Sequence, residues 1–112
     1  MNVVAITGRV GKKPEKRPTT SGQQVVTFSI AVDRKDKSGN KVTDWFNCTA
    51  FGRTGDLVMQ YFGQGAGIEV VGSLQTRSYE KDGKTVTVTL IIVDNVGFPK
   101  GNNKPDDKPF EV

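Results

Sequence analysis

The chain has 112 residues, a formal net charge of +4, a single cysteine and no histidine, with 35% hydrophobic and 25% charged residues. That length holds one small domain with room for a core. A lone thiol cannot close an intrachain disulfide, and without histidine the commonest general base and metal ligand is missing, so no catalytic residue, metal or other cofactor is expected. No segment has the length and flanking charge of a signal peptide or membrane span, which gives the expectation of a soluble, cytoplasmic protein without a membrane partner. Charge is uneven along the chain. Residues 1–41 carry nine Lys and Arg against three acids, net +6, and residues 42–112 carry seven against nine, net −2. A basic half is the footprint of a phosphate-backbone binder, and equally the ordinary charge of a soluble surface.

Thirteen glycines and five prolines among scattered Val, Ile and Thr favour short strands over a helical bundle. Val4, Ile6 and Val10 fall on one side of an extended run with Gly8 between them, which predicts a first strand. Gly11 to Gly22 has no apolar period and reads as a mobile basic loop with Lys12, Lys13, Lys16 and Arg17. Val26, Phe28, Ile30 and Val32 alternate with Thr27, Ser29 and Ala31 as a second strand, and Asp33 to Lys41 reads as a charged turn reversing at Ser38-Gly39-Asn40.

The stretch Thr43 to Gly52 is the most informative. As a strand it puts Trp45, Asn47, Thr49 and Phe51 on one face and Phe46, Cys48 and Ala50 on the other. The second set is core material, and Cys48 belongs to it. The first puts two large aromatics among small polar groups, and burying them would also bury Asn47 and Thr49. Such a face can stack flat rings. Leu57, Val58, Tyr61 and Phe62 then take helical spacing, with Thr54 as N-cap, Asp56 in the first turn and Gly63 as the stop. Strand character resumes from Ile68 to Tyr79, turns at Lys81-Asp82-Gly83-Lys84 and continues from about Thr85 to Val96. Leu90-Ile91-Ile92-Val93 is apolar on both faces, which fits packing against a helix, closure of a barrel or contact with another subunit.

Five strands with the sole helix between the third and fourth give an all-β fold with one short helix, in the element order of an OB-fold, a five-stranded Greek-key barrel. Such barrels bind oligonucleotides or oligosaccharides across strands two and three and with the loops after strands one and four.

Thr43 to Thr54, Gly72 to Tyr79 and the closing Asp94-Asn95-Val96-Gly97-Phe98 together resemble the bacterial-type single-stranded DNA-binding protein family, bacterial or phage-encoded, and the Val4 to Val10 run is similar to that family's first strand. The resemblance covers residues 1–98. It implies an OB-fold that coats single-stranded DNA without strict sequence preference in replication, recombination and repair, usually as a homotetramer, with a dimer as the smaller alternative. It also implies base stacking on the residues matching Trp45, Phe51 and Tyr79. Many members carry a further aromatic where this chain has Asp33-Arg34-Lys35-Asp36. There the Arg34 guanidinium is a candidate stacking plane and, equally, a solvated charge.

Phosphate and polar contacts are expected among Arg9, Lys12, Lys13, Arg34, Lys35, Asn47, Arg53, Arg77 and Lys84, each near the aromatic face. Pro99 to Lys108 has no aliphatic residue, so residues 99–112 are expected to form a short disordered tail. Asp106, Asp107, Pro109 and Phe110 resemble the acidic tip with which the family recruits replication and repair proteins. Here the match is degenerate, because Lys108 interrupts it and Glu111 and Val112 follow Phe110. An RNA-binding OB domain or a replication accessory protein is the alternative. A nuclease would need a metal-binding carboxylate cluster, and Asp33, Asp36 and Asp44 are the nearest acids.

Overall fold

Alternating apolar side chains build the strands and decide which side of each faces inward. The computed structural model describes residues 1–19 and 21–99. The elements are β1 (Val4–Val10), β2 (Glu15–Pro18), β3 (Gln24–Lys35), β4 (Lys41–Phe51), α1 (Gly52–Tyr61), β5 (Gly67–Lys81) and β6 (Lys84–Gly97). The sheet runs β1-β5-β6-β4-β3-β2 and also joins β1 to β3, so β1, β3, β4, β6 and β5 close a five-stranded barrel. Among the described residues, only the β4–β6 seam is parallel. This is the expected OB-fold, with β2 added outside the closed barrel.

Closure depends on a missing side chain. A Cβ at Gly8 would lie 2.5 Å from the Ala31 carbonyl and 2.6 Å from Ile30 Cγ2, so only glycine lets β1 pass β3 this closely. β1 pairs with β5 along its length but with β3 only through Arg9 and Val10. Among the described residues, Val4–Gly8 therefore show one edge without a strand partner. Beyond the start of β1, Asn2 acts as one more rung: its Nδ2 donates to the Leu74 carbonyl and its Oδ1 accepts from the Leu74 N–H, both at 2.8 Å.

The core takes Val10, Val26, Phe28, Ile30, Cys48, Ala50, Ile68, Val70, Ile91, Val93 and Val96 from the strands, and Val58 and Phe62 from α1 and its C-cap. The helix covers one end of the barrel. There Phe62 stacks on Phe98 at 4.8 Å between ring centroids, and Tyr61 meets the same ring edge-on at 6.0 Å. Of the roles open to Leu90–Val93, barrel closure is the one seen. Ile91 and Val93 point inward from β6, which lies between β4 and β5.

Three local expectations are corrected. Glu15–Pro18, expected as part of a loop, is a strand paired with Gln24–Thr27. All four residues are exposed, so backbone pairing holds it, joined by an ion pair from Lys16 to Asp56 of α1 at 3.7 Å. Thr54 is not the N-cap: α1 starts behind Phe51 with no side-chain cap, and Thr54 Oγ1 instead donates to the Asp94 carbonyl at 3.4 Å. Asp56 lies beyond the first turn, which contains no acid. The turn expected over Asp33 to Lys41 is shorter, because β3 continues to Lys35. Asp36 Oδ1 shapes it by accepting from the Ser38 and Asn40 N–H groups, both at 2.9 Å.

Candidate nucleic-acid interface

Strand register settles which side chains share the outer surface. Ala31 lies opposite Trp45, Ser29 opposite Asn47, Thr27 opposite Thr49 and Val25 opposite Phe51. Directly paired residues point to the same face. Across β3, Arg9 joins the Trp45 row, while Glu15 and Arg17 join the Thr27 and Val25 rows. On the other side Thr49 pairs with Ile92, and Ile92 with Ser73, which shares a face with Arg77 and Tyr79 two and three repeats along β5. One curved outer surface thus carries Trp45, Phe51 and Tyr79.

Trp45 is 62% exposed and Tyr79 49%, whereas Phe51 is half-buried. Trp45 is not loosely placed. A Cβ at Gly11 would collide with Trp45 Cζ3, so the indole edge rests on the Gly11 backbone. Trp45 and Phe51 are six residues apart, about 20 Å at the rise of a strand, so they serve different bases and not neighbouring ones. Between them is an open cavity of about 390 Å³. It is lined by Thr27 and Ser29 of β3, Asn47 of β4, and Lys12, Lys13, Glu15 and Arg17 of the segment running into and along β2. Cys48 lies beneath, 1% exposed, and burial pushes its thiol pKa up to about 12, so it packs and does not react.

Beside Trp45, Asp33 gathers three partners. It accepts from Thr43 Oγ1 at 2.7 Å and pairs with Arg9 at 3.0 Å and Lys41 at 3.5 Å. The Thr43 hydrogen bond, helped by the two cations, holds its carboxyl below the usual aspartate range. Arg34 goes elsewhere. Alternation puts it and Asp44 on the opposite face from Trp45, where Arg34 Nε donates to Asp44 Oδ2 at 2.7 Å. Hydrogen bonding to Asp44 raises the Arg34 pKa further. The side chain considered as a substitute for the missing aromatic is therefore turned away and already engaged.

The model of the single-strand binding protein family matches residues 1–99. The chain belongs to this family. Within it, a single-stranded DNA-binding protein of Fusobacterium nucleatum subsp. nucleatum is 39% identical over 102 residues, covering 88% of this chain and 66% of the relative. Single-stranded DNA-binding protein 1 of Staphylococcus aureus is 40% identical over 106 residues, covering 92% and 64%. The chain thus spans just under two thirds of the length of these relatives. The solved structure of Plasmodium falciparum SSB in complex with ssDNA superposes with a TM-score of 0.79 at 28% identity, covering 89% of this chain and 96% of that one.

Of the residues singled out from the sequence, register gathers Arg9, Lys35, Asn47, Arg77 and Lys84 onto the outer surface with the three aromatics, and Lys12 and Lys13 line its cavity. Arg53 is exposed at the start of α1, just after Phe51. Asp106, Asp107, Pro109 and Phe110 lie outside the described residues. Sequence reasoning missed Glu15, Arg17, Thr27, Ser29 and Lys41. The alternation of Glu15 and Arg17 around Lys16 was a signal for the first pair, but no apolar residue marks that segment as a strand.

Proposed function

We propose that this chain binds single-stranded DNA with little sequence preference, stacking bases on Trp45, Phe51 and Tyr79 and drawing the backbone along Arg9, Lys12, Lys13, Lys35, Arg53, Arg77 and Lys84, with Asn47 as a polar contact. The carrying observation is Trp45: a ring that size is normally buried, yet it is 62% exposed in a row with Arg9. A flat ring beside cations takes any base through its π-face and any phosphate through charge, and each stacked base contributes about 1–3 kcal/mol. Arg34 is left out because of its position on the other face. The names of the relatives and the bound ssDNA of the solved relative support the same reading.

On this reading the protein coats single strands during replication, recombination and repair in the cytoplasm of a bacterium or a phage-infected cell, and performs no catalysis. No described helix is long and apolar enough to cross a membrane. Residues 1–98 act as the binding domain and 99–112 as a tail contacting other replication or repair proteins. The open β1 edge at Val4–Gly8 supports self-association, as a homotetramer or a dimer.

Because Trp45 is the sole tryptophan, its fluorescence reports directly on the site. Oligo(dT) should quench it, and affinity should fall steeply as salt rises. Unchanged affinity after replacing both Trp45 and Phe51 with alanine would refute the stacking mechanism.

A further inference from the structure

We propose that Trp45 holds single-stranded DNA in two ways, stacking a base on its face and donating its indole Nε1–H to a backbone phosphate. This deepens the single-stranded DNA reading and rests on it. The seating of the ring carries the inference. An added Cβ at Gly11 would collide with Trp45 Cζ3 and approach Cε3 at 3.2 Å, so that edge of the six-membered ring is the one lying against the Gly11 backbone. In an indole, Cζ3 is para to Cε2, the carbon that carries Nε1. The N–H therefore occupies the opposite edge, away from Gly11. The side chain is 62% exposed, and among the described residues no group accepts from Nε1. An indole N–H can only donate, and a buried one normally finds its acceptor within the protein. This one is left for a ligand.

Neighbouring rows decide the acceptor. On the outer surface Trp45 lies between the row of Ser29 with Asn47 and the row of Asp33 with Thr43. Gly11 stands beside Ser29, donating its N–H to the Ser29 carbonyl at 2.8 Å, so the N–H edge turns from the Ser29 row toward the Asp33 row. There Asp33 holds Arg9 at 3.0 Å and Lys41 at 3.5 Å, and accepts from Thr43 but not from the indole. Two cations mark a place for phosphate, and their charge attracts it with little regard to direction. The indole adds a donor whose direction is fixed by the seat on Gly11. Arg9 engages Asp33 through Nη2, which leaves other N–H groups of its planar fork to share the same phosphate. Base edges present acceptors that differ from base to base, whereas every nucleotide offers the same phosphate oxygens. The contact therefore adds affinity and no sequence preference.

The test replaces Trp45 in the full chain with benzothienylalanine, which keeps the bicyclic ring and puts sulfur in place of the N–H. Affinity is read by anisotropy of labelled oligo(dT), oligo(dC) and oligo(dA) of about 12 nucleotides, within the footprint of one OB-fold, at fixed salt. A hydrogen bond to a charged group, at a site open to water, sets the expected loss at about tenfold. The loss should be the same for all three oligonucleotides, as a phosphate contact requires. Trp45→Ala, which removes ring and donor together, should cost more than the sulfur variant. Because the chain has one tryptophan, the wild type gives a single indole N–H proton signal in NMR. On binding oligo(dT) this signal should move downfield and exchange more slowly with water, whereas stacking alone moves it upfield. The replaced side chain is exposed and close to isosteric, so the fold is kept, checked by circular dichroism. A loss below about twofold with the oligonucleotides still bound, or an upfield indole signal with unchanged exchange, overturns the donor role and leaves the single-stranded DNA reading standing. A loss confined to one base overturns phosphate as the acceptor. Failure of the wild type to bind any of the three overturns the single-stranded DNA reading as well.

Discussion

Gly11 is expected to set the position of the main stacking ring, and Gly11→Ala tests this without touching any group that contacts DNA. The Gly11 N–H donates to the Ser29 carbonyl at 2.8 Å, pinning the backbone where the indole lies on it. An added Cβ would overlap Trp45 Cζ3, approach Cε3 at 3.2 Å and Ser29 Oγ at 2.7 Å. Ordinary carbon contacts are about 3.5–4.0 Å, so the ring must retreat by roughly 1 Å or swing away. An exposed ring gives way easily, so stability should stay within about 1 kcal/mol of wild type. Binding should suffer more. Losing part of a stack of about 1–3 kcal/mol, taken as about 1 kcal/mol, weakens oligo(dT) affinity roughly fivefold, against about five- to 150-fold for Trp45→Ala. Fluorescence titration measures the first, anisotropy of a labelled oligonucleotide the second. The decisive comparison is the double mutant, in which Gly11→Ala should cost nothing further once the ring is gone. Wild-type affinity in Gly11→Ala, or its full cost persisting in the Trp45→Ala background, would refute the reasoning.

Other outcomes follow from the same geometry. Asp33 has a depressed folded pKa, so its contribution to stability is present above the unfolded aspartate pKa and lost as pH falls through the lower folded value. Melting curves of wild type and Asp33→Asn should therefore differ near neutral pH and converge in acid, and a gap that widens on acidification would contradict this assignment. Asp33→Asn should also release Arg9 and Lys41 and steepen the salt dependence of oligo(dT) binding; an unchanged slope would show that the carboxylate does not compete with phosphate. Cys48 should resist a thiol reagent in the folded protein and react on unfolding, and fast labelling under native conditions would contradict its burial. Ile30→Ala removes a fully buried side chain and should cost about 2–5 kcal/mol in urea denaturation; a cost below about 1 kcal/mol would argue against that packing.

The barrel was legible because alternation records which side of a strand faces the core. Val26, Phe28, Ile30 and Val32 announce β3, and the same period set Trp45 and Phe51 apart from Cys48 and Ala50. Asp82 and Gly83, with φ of 53° and 76°, bear out the tight hairpin expected from their dipeptide. β2 was illegible for the converse reason: it buries nothing, so hydrophobicity leaves no trace of it. Charged residues were hardest to place. Proximity in sequence put Arg34 near the aromatic face, but the odd-even phase of β3 turns it to the other side, and its pairing with Asp44 depends on a register that composition does not encode. The cavity likewise exists only once β2 is laid beside β3.

β2 has one further consequence. It is the outermost strand on its side of the sheet, and it consists of a glutamate, a lysine, an arginine and a proline that has no N–H to offer. A passing chain seeking to extend the sheet there meets charge on successive residues and a gap in the ladder of donors. Thus the segment that walls the cavity also seals a margin of the molecule, protecting it from uncontrolled strand-by-strand growth in a crowded cell.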